Sequence, residues 1–218
     1  MILDFKNKDI WENCPKGISP WNKYMGIDPE YIFEDGKEIL RLNAVNTPEG
    51  FKTSGIQTKQ PIGSGIVEIK ARTKGGNSSW PALWLYNGRD NKYYEIDIME
   101  HFDNNSTVKT GLFMYKHMFG IFSKIKRLFR PKVNTKINKT EWNIYKCEWN
   151  EKYIKIYING NCILTYKNNG DWKSYPQTKE DRKFTLILSM QYDYKGKAKP
   201  EQLPLWMDIE YIKFIKNE

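Results

Sequence analysis

The stretch of sequence that decides the fold is Tyr93–Phe102, which reads YYEIDIMEHF. Apolar and polar residues alternate through most of it. This period of two is typical of a β-strand, because residues i and i+2 of a strand share a face. Glu95 and Asp97 therefore lie on one face, and Ile96 and Ile98 point to the other face, towards a hydrophobic core. The stretch predicts a strand with one buried side and one acidic side.

Glu100 breaks this alternation, since it stands five residues after Glu95. On a regular strand its carboxylate would face the core, where an unpaired charge is costly. A β-bulge near Ile98-Met99 would add one residue to the strand and return Glu100 to the face of Glu95 and Asp97. We therefore predict a bulged strand with three carboxylates in one row.

The same period of two recurs along the chain, and no segment keeps a helical period over three turns. The other predicted strands are Tyr31–Phe33, Ile39–Leu42, Gly65–Thr73, Pro81–Tyr86, Val108–Tyr115, Trp142–Trp149, Tyr153–Ile158, Cys162–Tyr166, Phe184–Tyr192 and Leu205–Ile215. Glu34–Lys37 and Asn159-Gly160 indicate hairpin turns, and Lys116–Thr140 is predicted to be a long loop. Many short strands without a linker predict one all-β domain over residues 1–218, a sandwich of jelly-roll type.

The acidic row suggests chemistry, because clustered like charges cannot all ionise normally and their titrations must couple. Glycoside hydrolysis uses such a pair. One carboxylate attacks or stabilises the anomeric carbon, and a protonated partner gives a proton to the leaving oxygen. The alternatives are a solvated acidic strand and a calcium site. A calcium ion prefers about six to eight oxygen ligands on a flexible loop, which gives no reason for the interleaved Ile96 and Ile98.

The segment Glu95–Glu100, EIDIME, resembles the bulged E-x-D-x-x-E signature of family 16 glycoside hydrolases. Further segments resemble motifs of this family in the same order, over about residues 31 to 215. They are Ser64–Glu68 (SGIVE), Trp80–Leu85 (WPALWL), Trp142–Trp149 followed by Tyr153–Gly160, Phe184–Met190 (FTLILSM) and Ile209–Phe214 (IEYIKF). Asn159 stands where the family usually has aspartate.

The resemblance implies a concanavalin-like sandwich of two curved antiparallel sheets, with an open cleft for a polysaccharide on the concave face. Carried onto this chain, it makes Glu95 the nucleophile and Glu100 the general acid/base. Asp97 would hydrogen-bond to the nucleophile and tune the protonation of the pair.

The implied reaction is the retaining, endo-acting hydrolysis of a β-1,3-glucan or of a galactan, sulfated or not. The bulged spacing resembles that of laminarinase-, agarase- and carrageenase-like members. It departs from the unbulged E-x-D-x-E of lichenases and xyloglucan transferases. A lectin-like domain that binds carbohydrate without cleaving it is the alternative on the same fold.

The residues predicted to bind substrate are Tyr93, Trp80, Trp84, Phe102, Lys109, Ser189 and Gln191. Tyr93 and Phe102 share the face of the carboxylates, where flat rings can stack on sugars or on a neighbouring strand. Trp80 and Trp84 share a face that is either cleft or core.

Two departures from the family pattern leave the substrate open. Lys109 and Phe113 stand where the family often has histidine, and Ser189 stands where asparagine is common. His101 is predicted to be a core or supporting residue. Trp11 and Trp21 could pad the end of the sandwich or extend the cleft.

The net charge of +9 and the 15% share of aromatic residues admit an anionic partner. The lysines are scattered, which favours a bias of composition. Only the run Lys124–Lys132 (KIKRLFRPK) is concentrated, and it is either a solvated loop or a patch for an anionic polymer. A nucleic acid is not expected as partner, because no recognition motif occurs and the acidic row would repel phosphate. We expect a monomer that takes a polysaccharide, with a modest preference for an anionic one.

No membrane partner is expected, because the chain has no apolar run long enough to span a bilayer. No signal peptide is visible at the start, and the resemblance implies an extracellular site of action. Cys14, Cys147 and Cys162 are expected to be free thiols. No cofactor and no metal ligand set is predicted. A structural calcium occurs in some family members, and Glu210 stands at one acidic position expected for it.

Overall fold

The computed structural model describes residues 2–89, 92–116, 126–129, 131–171 and 175–216. The strands are β1 (Trp11–Asn13), β2 (Glu30–Glu34), β3 (Lys37–Thr47), β4 (Gly50–Thr53), β5 (Gly55–Thr58), β6 (Gly65–Lys74), β7 (Ala82–Arg89), β8 (Lys92–Glu100), β9 (Thr107–Lys116), β10 (Lys126–Phe129), β11 (Lys132–Lys136), β12 (Asn143–Trp149), β13 (Tyr153–Ile158), β14 (Asn161–Lys167), β15 (Thr185–Ser189) and β16 (Leu205–Lys216). A single 3₁₀ turn, Pro200–Gln202, precedes β16 in this part of the chain.

These strands form two sheets of eight strands each. One sheet, here called the cleft sheet, has the order β1-β5-β15-β7-β8-β9-β10, and β11 also pairs with β9. The other, the back sheet, has the order β14-β13-β12-β6-β16-β3-β2, and β4 also pairs with β3. Neighbouring strands within each sheet are antiparallel. The predicted all-β jelly-roll sandwich is confirmed.

The core lies between the sheets and is built from alternating apolar residues of both. In β6, Val67, Ile69 and Ala71 are fully buried, whereas the residues between them are partly exposed. Ile96 and Ile98 of β8 pack into the same core from the cleft sheet. Each fully buried side chain of this size contributes about 1.5–3 kcal/mol. Because β8 is anchored in this way, the register of its opposite face is fixed.

Both predicted hairpin turns are confirmed. Asp35 and Gly36 have φ angles of 50° and 75°, and Asn159 and Gly160 have φ angles of 50° and 81°. Two consecutive residues with positive φ form a type I′ turn, whose twist matches that of the strands it joins. Glycine at the second position adopts this conformation without strain.

The predicted loop at Lys116–Thr140 is wrong in part. The strand β9 runs to Lys116, and both β10 and β11 pair with β9 at the edge of the cleft sheet. The inward residues of β11, Val133 and Thr135, are only partly buried. An edge strand of this kind needs few apolar residues, so its alternation is weak in the sequence. Part of the basic run Lys124–Lys132 lies outside the described residues.

The structure also tests the expectations for the cysteines, for His101, for two tryptophans and for a membrane span. Cys14 and Cys147 are buried free thiols and Cys162 is an exposed one, as expected. His101 is fully buried. Trp11 belongs to the main core, whereas Trp21 packs on the outer face of the cleft sheet. Within the described ranges, no helix has the length and apolarity that a membrane span requires.

Candidate active site

The predicted bulge lies in β8 at Ile98. On one side, Leu83 of β7 pairs with Met99 while the next residue, Trp84, pairs with Asp97, so Ile98 is the extra residue. On the other side, Asp97 pairs with Gly111 and Glu100 pairs with Lys109, so three steps along β8 match two along β9. The pairing brings Asp97 and Glu100 to the same face of the sheet.

A buried hydroxyl supports this bulge. The Thr110 Oγ1 atom donates a hydrogen bond to the carbonyl oxygen of Ile98 at 3.1 Å. Ile98 stands outside the paired register of β8 with β7 and with β9. Thr110 therefore gives a hydrogen-bond partner to the carbonyl of the residue that the bulge takes out of register.

The three carboxylates line one small pocket of about 60 Å³ on the outer face of the cleft sheet. Its walls are Trp21, Trp80, Ala82, Trp84, Glu95, Asp97, Glu100 and Gln191. Asp97 and Glu100 are each only 4% exposed, whereas Glu95 is partly exposed. The structure thus brings together the three residues predicted to be catalytic.

Glu100 has two defined partners. The Trp80 indole donates a hydrogen bond from Nε1 to Glu100 Oε1 at 3.1 Å. The Lys109 ammonium lies 3.2 Å from Glu100 Oε2 and is itself largely buried. These contacts hold the carboxylate in one orientation, and the ammonium favours its ionised form.

An aromatic wall stands beside Glu100. Trp80 stacks on Phe102 with 5.1 Å between the ring centroids, and Tyr194 meets both rings edge-on at 5.7 and 5.5 Å. The Lys109 ammonium lies over the Phe102 ring, 4.7 Å from its centroid. Trp80, Phe102 and Lys109 are therefore gathered around the predicted acid/base.

A second aromatic row borders Glu95. Trp21 meets Trp84 edge-on at 5.2 Å, Trp84 lies 6.0 Å from Tyr86, and Tyr86 lies 6.0 Å from Tyr93. Burial, with a smaller contribution from the nearby Tyr93 and Glu95, raises the pKa of Tyr86 to about 12, so its hydroxyl stays protonated. Trp84 lies on the outer face with Ile187, not in the main core.

Ser189 and Gln191 lie on the same outer face but have different surroundings. Ser189 is fully buried, and its Oγ accepts hydrogen bonds from Trp84 Nε1 at 3.3 Å and from Gln191 Nε2 at 3.0 Å. Its visible role is to hold Trp84. Gln191 lines the pocket, and its Oε1 is buried with no hydrogen-bond partner in the described part of the chain. Their contacts with sugar stay predictions.

Sequence reasoning missed Tyr86 and Tyr194 and left Trp21 undecided. Tyr86 could have been found, because it is two residues after Trp84 and so shares its face. Trp21 and Tyr194 lie in loops without periodicity, so nothing local in the sequence places them at the pocket.

The described residues hold no group of three or more His, Cys, Asp or Glu side chains that could bind a metal ion. Glu210, at the position considered for calcium, forms ion pairs with Lys37 at 2.8 Å and Lys70 at 2.6 Å. Burial acts to raise the pKa of Glu210, but the hydrogen bonds from these two lysines lower it more. Its negative charge is thus already compensated by protein cations.

A jelly-roll sandwich that carries a bulged row of carboxylates under aromatic rings has the architecture expected of a glycosidase. Residues 26–199 match the sequence model of glycosyl hydrolases family 16, and the chain belongs to this family.

The names of two relatives of this chain refer to different glycans. The chain is 29% identical over 226 residues to a keratan-sulfate endo-1,4-beta-galactosidase of Sphingobacterium multivorum, covering 94% of this chain and 51% of that protein. It is 27% identical over 172 residues to a beta-glucanase of Rhodothermus marinus, covering 70% of this chain and 57% of that protein. The chain thus spans about half the length of the curated relatives it matches.

Solved structures share the fold. One comes from a study of endo-acting O-glycanases that prominent members of the human gut microbiota express to initiate mucin breakdown. It has a TM-score of 0.76 at 21% identity, covering 100% of this chain and 99% of that one. The laminarinase catalytic domain of Thermotoga maritima has a TM-score of 0.71 at 19% identity, covering 99% and 94%. At these identities the likeness extends to the fold alone.

Proposed function

We propose that the chain is a retaining, endo-acting β-glycanase. The observation that carries this proposal is the bulge at Ile98, which sets Glu95, Asp97 and Glu100 along one pocket between aromatic walls. Retaining glycosidases require a nucleophile and a proton donor on either side of one glycosidic bond.

In this mechanism Glu95 attacks the anomeric carbon while Glu100 gives its proton to the leaving glycosidic oxygen. The bond between that oxygen and the anomeric carbon breaks, and the sugar remains attached to Glu95 as an ester. Glu100, now ionised, then takes a proton from water, whose oxygen attacks the same carbon and releases Glu95. Asp97 lies between the two on the same face and tunes their protonation.

The Lys109 ammonium stabilises Glu100 after the proton has left, because the ionised carboxylate is the form it attracts. Trp80 fixes the orientation of the same carboxylate through its indole hydrogen bond. A lectin-like role explains this arrangement less well. A binding site gains nothing from two acidic side chains that are almost fully buried, and their burial is costly.

The substrate we propose is a β-linked glycan that contains galactose. The 29% identity over 94% of the chain to the keratan-sulfate endo-1,4-beta-galactosidase supports it. Two relatives named for glucans match at somewhat lower identity, 27% over 70% of the chain and 26% over 93%. Lys109, which pairs with Glu100 beside the pocket, is compatible with a substrate that carries negative charge.

The test is release of reducing ends from keratan sulfate, neutral β-glucans, agarose and carrageenans, with Glu95→Gln as control. We expect cleavage of a galactose-containing polymer by the wild-type protein alone, with the product anomer first formed having the configuration of the substrate by NMR. Cleavage that survives in Glu95→Gln, or inversion of the anomer, would contradict the proposed mechanism.

A further inference from the structure

The edge strand β11 continues the pocket surface beyond β9. Its register pairs Lys132 with Gly111, Asn134 with Lys109, and Lys136 with Thr107. In antiparallel strands, directly paired residues lie on the same face of the sheet. Since Lys109 contacts Glu100 on the outer face, Lys132 and Lys136 belong to that face as well.

The burial of β11 agrees with this assignment. Lys132, Asn134 and Lys136 are exposed, whereas Val133 and Thr135 between them are partly buried. Val133 packs against the main core. The strand therefore presents two lysines and one asparagine outwards, beside the residues that pair with Asp97 and Glu100.

Glycine at position 111 keeps the path between Asp97 and Lys132 open. Gly111 pairs with Asp97 on one side and with Lys132 on the other. A Cβ atom at position 111 would approach the Pro131 carbonyl oxygen to 3.2 Å and Lys132 Cβ to 3.5 Å. Without that side chain, a ligand that crosses the strands from Asp97 meets Lys132 two strand spacings away, about 10 Å.

Beyond the three carboxylates, the charged side chains that β9 and β11 place on this face in the described part of the chain are lysines. Lys109, Lys132 and Lys136 supply three ammonium groups, and β11 contains no acidic residue. Lys109 pairs with Glu100, and no ion pair of Lys132 or Lys136 occurs within the described ranges of the chain. Cations without counter-charges on one face of a sheet attract an anionic ligand.

We propose that Lys109, Lys132 and Lys136 form a subsite for an anionic substituent, a sulfate ester or a carboxylate, of the glycan that occupies the pocket. This proposal rests on the proposed function and specifies its substrate class. The carboxylates of Glu95, Asp97 and Glu100 lie at one end of this surface and the lysines at the other. A uniformly anionic chain such as a nucleic acid is therefore excluded, because the carboxylates would repel it. A glycan fits because its ring over the carboxylates is neutral while its next charged group reaches the lysines.

The test compares one backbone in three forms: keratan sulfate, the same polymer after desulfation, and the desulfated polymer oxidised to carboxylates at only part of its C6 positions, so that neutral rings remain. Binding is measured by calorimetry on Glu95→Gln, so that it does not depend on turnover. The subsite variant adds Lys132→Gln and Lys136→Gln. The control variant instead adds Lys152→Gln and Lys167→Gln, which remove the same charge from two exposed positions, the connection between β12 and β13 and the end of β14.

We expect Glu95→Gln to prefer one anionic form over the neutral form, and the subsite variant to reduce this preference about threefold to tenfold. The control variant should keep the preference, and high salt should weaken it. The form preferred identifies sulfate or carboxylate. Equal affinity for all three forms, absence of binding, or an unchanged preference in the subsite variant overturns the subsite. Failure of the hydrolytic proposal is a separate result, since it appears as cleavage that Glu95→Gln does not abolish.

Discussion

Lys109 Nζ lies 3.2 Å from Glu100 Oε2, across adjacent strands of the cleft sheet. Among the described residues, the charged groups near Glu100 include this cation from β9 and the carboxylates of Asp97 and Glu95 from its own strand. An ammonium at this distance favours the ionised carboxylate, whereas carboxylates favour the protonated one. Lys109 and the two carboxylates therefore act in opposite directions on the proton that the proposed mechanism requires on Glu100. Lys109 can be substituted without altering the carboxylates.

Replacement of Lys109 by glutamine should extend activity to higher pH. The first step needs protonated Glu100, so the high-pH limb of kcat/KM follows the loss of this proton. Without the cation the proton is retained to higher pH, and we expect the limb to move in that direction. The profile is measured on a neutral substrate, with Lys167→Gln as control. A limb that stays in place in Lys109→Gln would show that the ammonium does not influence the acid.

Replacement of Glu100 by alanine should separate the two catalytic roles. Loss of the proton donor should reduce hydrolysis of the polymer by about 10²–10⁴-fold. With an aryl glycoside, whose leaving group needs no proton, Glu95 should still form the ester, and added azide should release it as the β-glycosyl azide. Glu95→Ala should give no such product. A β-azide from Glu95→Ala, or an α-azide from Glu100→Ala, would contradict the assignment. An α-azide from Glu95→Ala would agree with it, because azide then displaces the leaving group directly in place of the missing nucleophile.

Replacement of Thr110 by valine should loosen the bulge. Loss of its hydroxyl leaves the Ile98 carbonyl without this donor, at a cost of about 1–3 kcal/mol in the free energy of unfolding. The matched control is Thr73→Val, since the buried Thr73 Oγ1 has no hydrogen-bond partner among the described residues. Urea denaturation should show a loss for Thr110→Val and none for Thr73→Val. Equal behaviour of the two variants would remove Thr110 as a support of the bulge.

Acid should destabilise the protein through His101. Burial lowers the pKa of His101 from its usual 6.5 to about 4, although the hydrogen bond with the Asn105 carbonyl acts to raise it. Between these pH values the unfolded chain binds a proton that the folded protein does not. The stabilisation is complete above about pH 6.5 and falls by about 3 kcal/mol as the pH drops to 4.

The corresponding experiment measures the free energy of unfolding from pH 7.5 to 4 in the wild-type protein and in His101→Phe. The variant has no group to titrate at this position, so its curve should be flatter across this window even if its stability is lower throughout. Parallel curves would assign the acid sensitivity to other groups.

The fold could be predicted because its determinants are local. A period of two marks the buried face of β6 and β8, and Asp35-Gly36 and Asn159-Gly160 specify their turns. The bulge could also be predicted, since Glu100 would otherwise place a charge in the core. In each case one short segment carries the physical constraint.

The surroundings of the carboxylates could be predicted only in part. Phe102 shares the face of Glu100 by alternation, whereas the sequence left Trp80 undecided between cleft and core. The edge-on contact of Trp21 with Trp84 joins a loop to a strand distant in sequence. The face on which the lysines of β11 lie could not be predicted, because an edge strand with a partly buried inner face has weak alternation in its sequence. Contacts of this kind depend on tertiary packing, which leaves no periodic signal.

The bulge at Ile98 also bears on how the gene could change. With Ile98 present, the extra residue is absorbed between Asp97 and Glu100. If its codon were deleted, Glu95, Asp97 and Glu100 would alternate regularly with Ile96 and Met99 and would still share a face. One three-nucleotide deletion could therefore shorten the spacing of nucleophile and acid/base in a single step. No ancestor along that route would have to bury a carboxylate in its core.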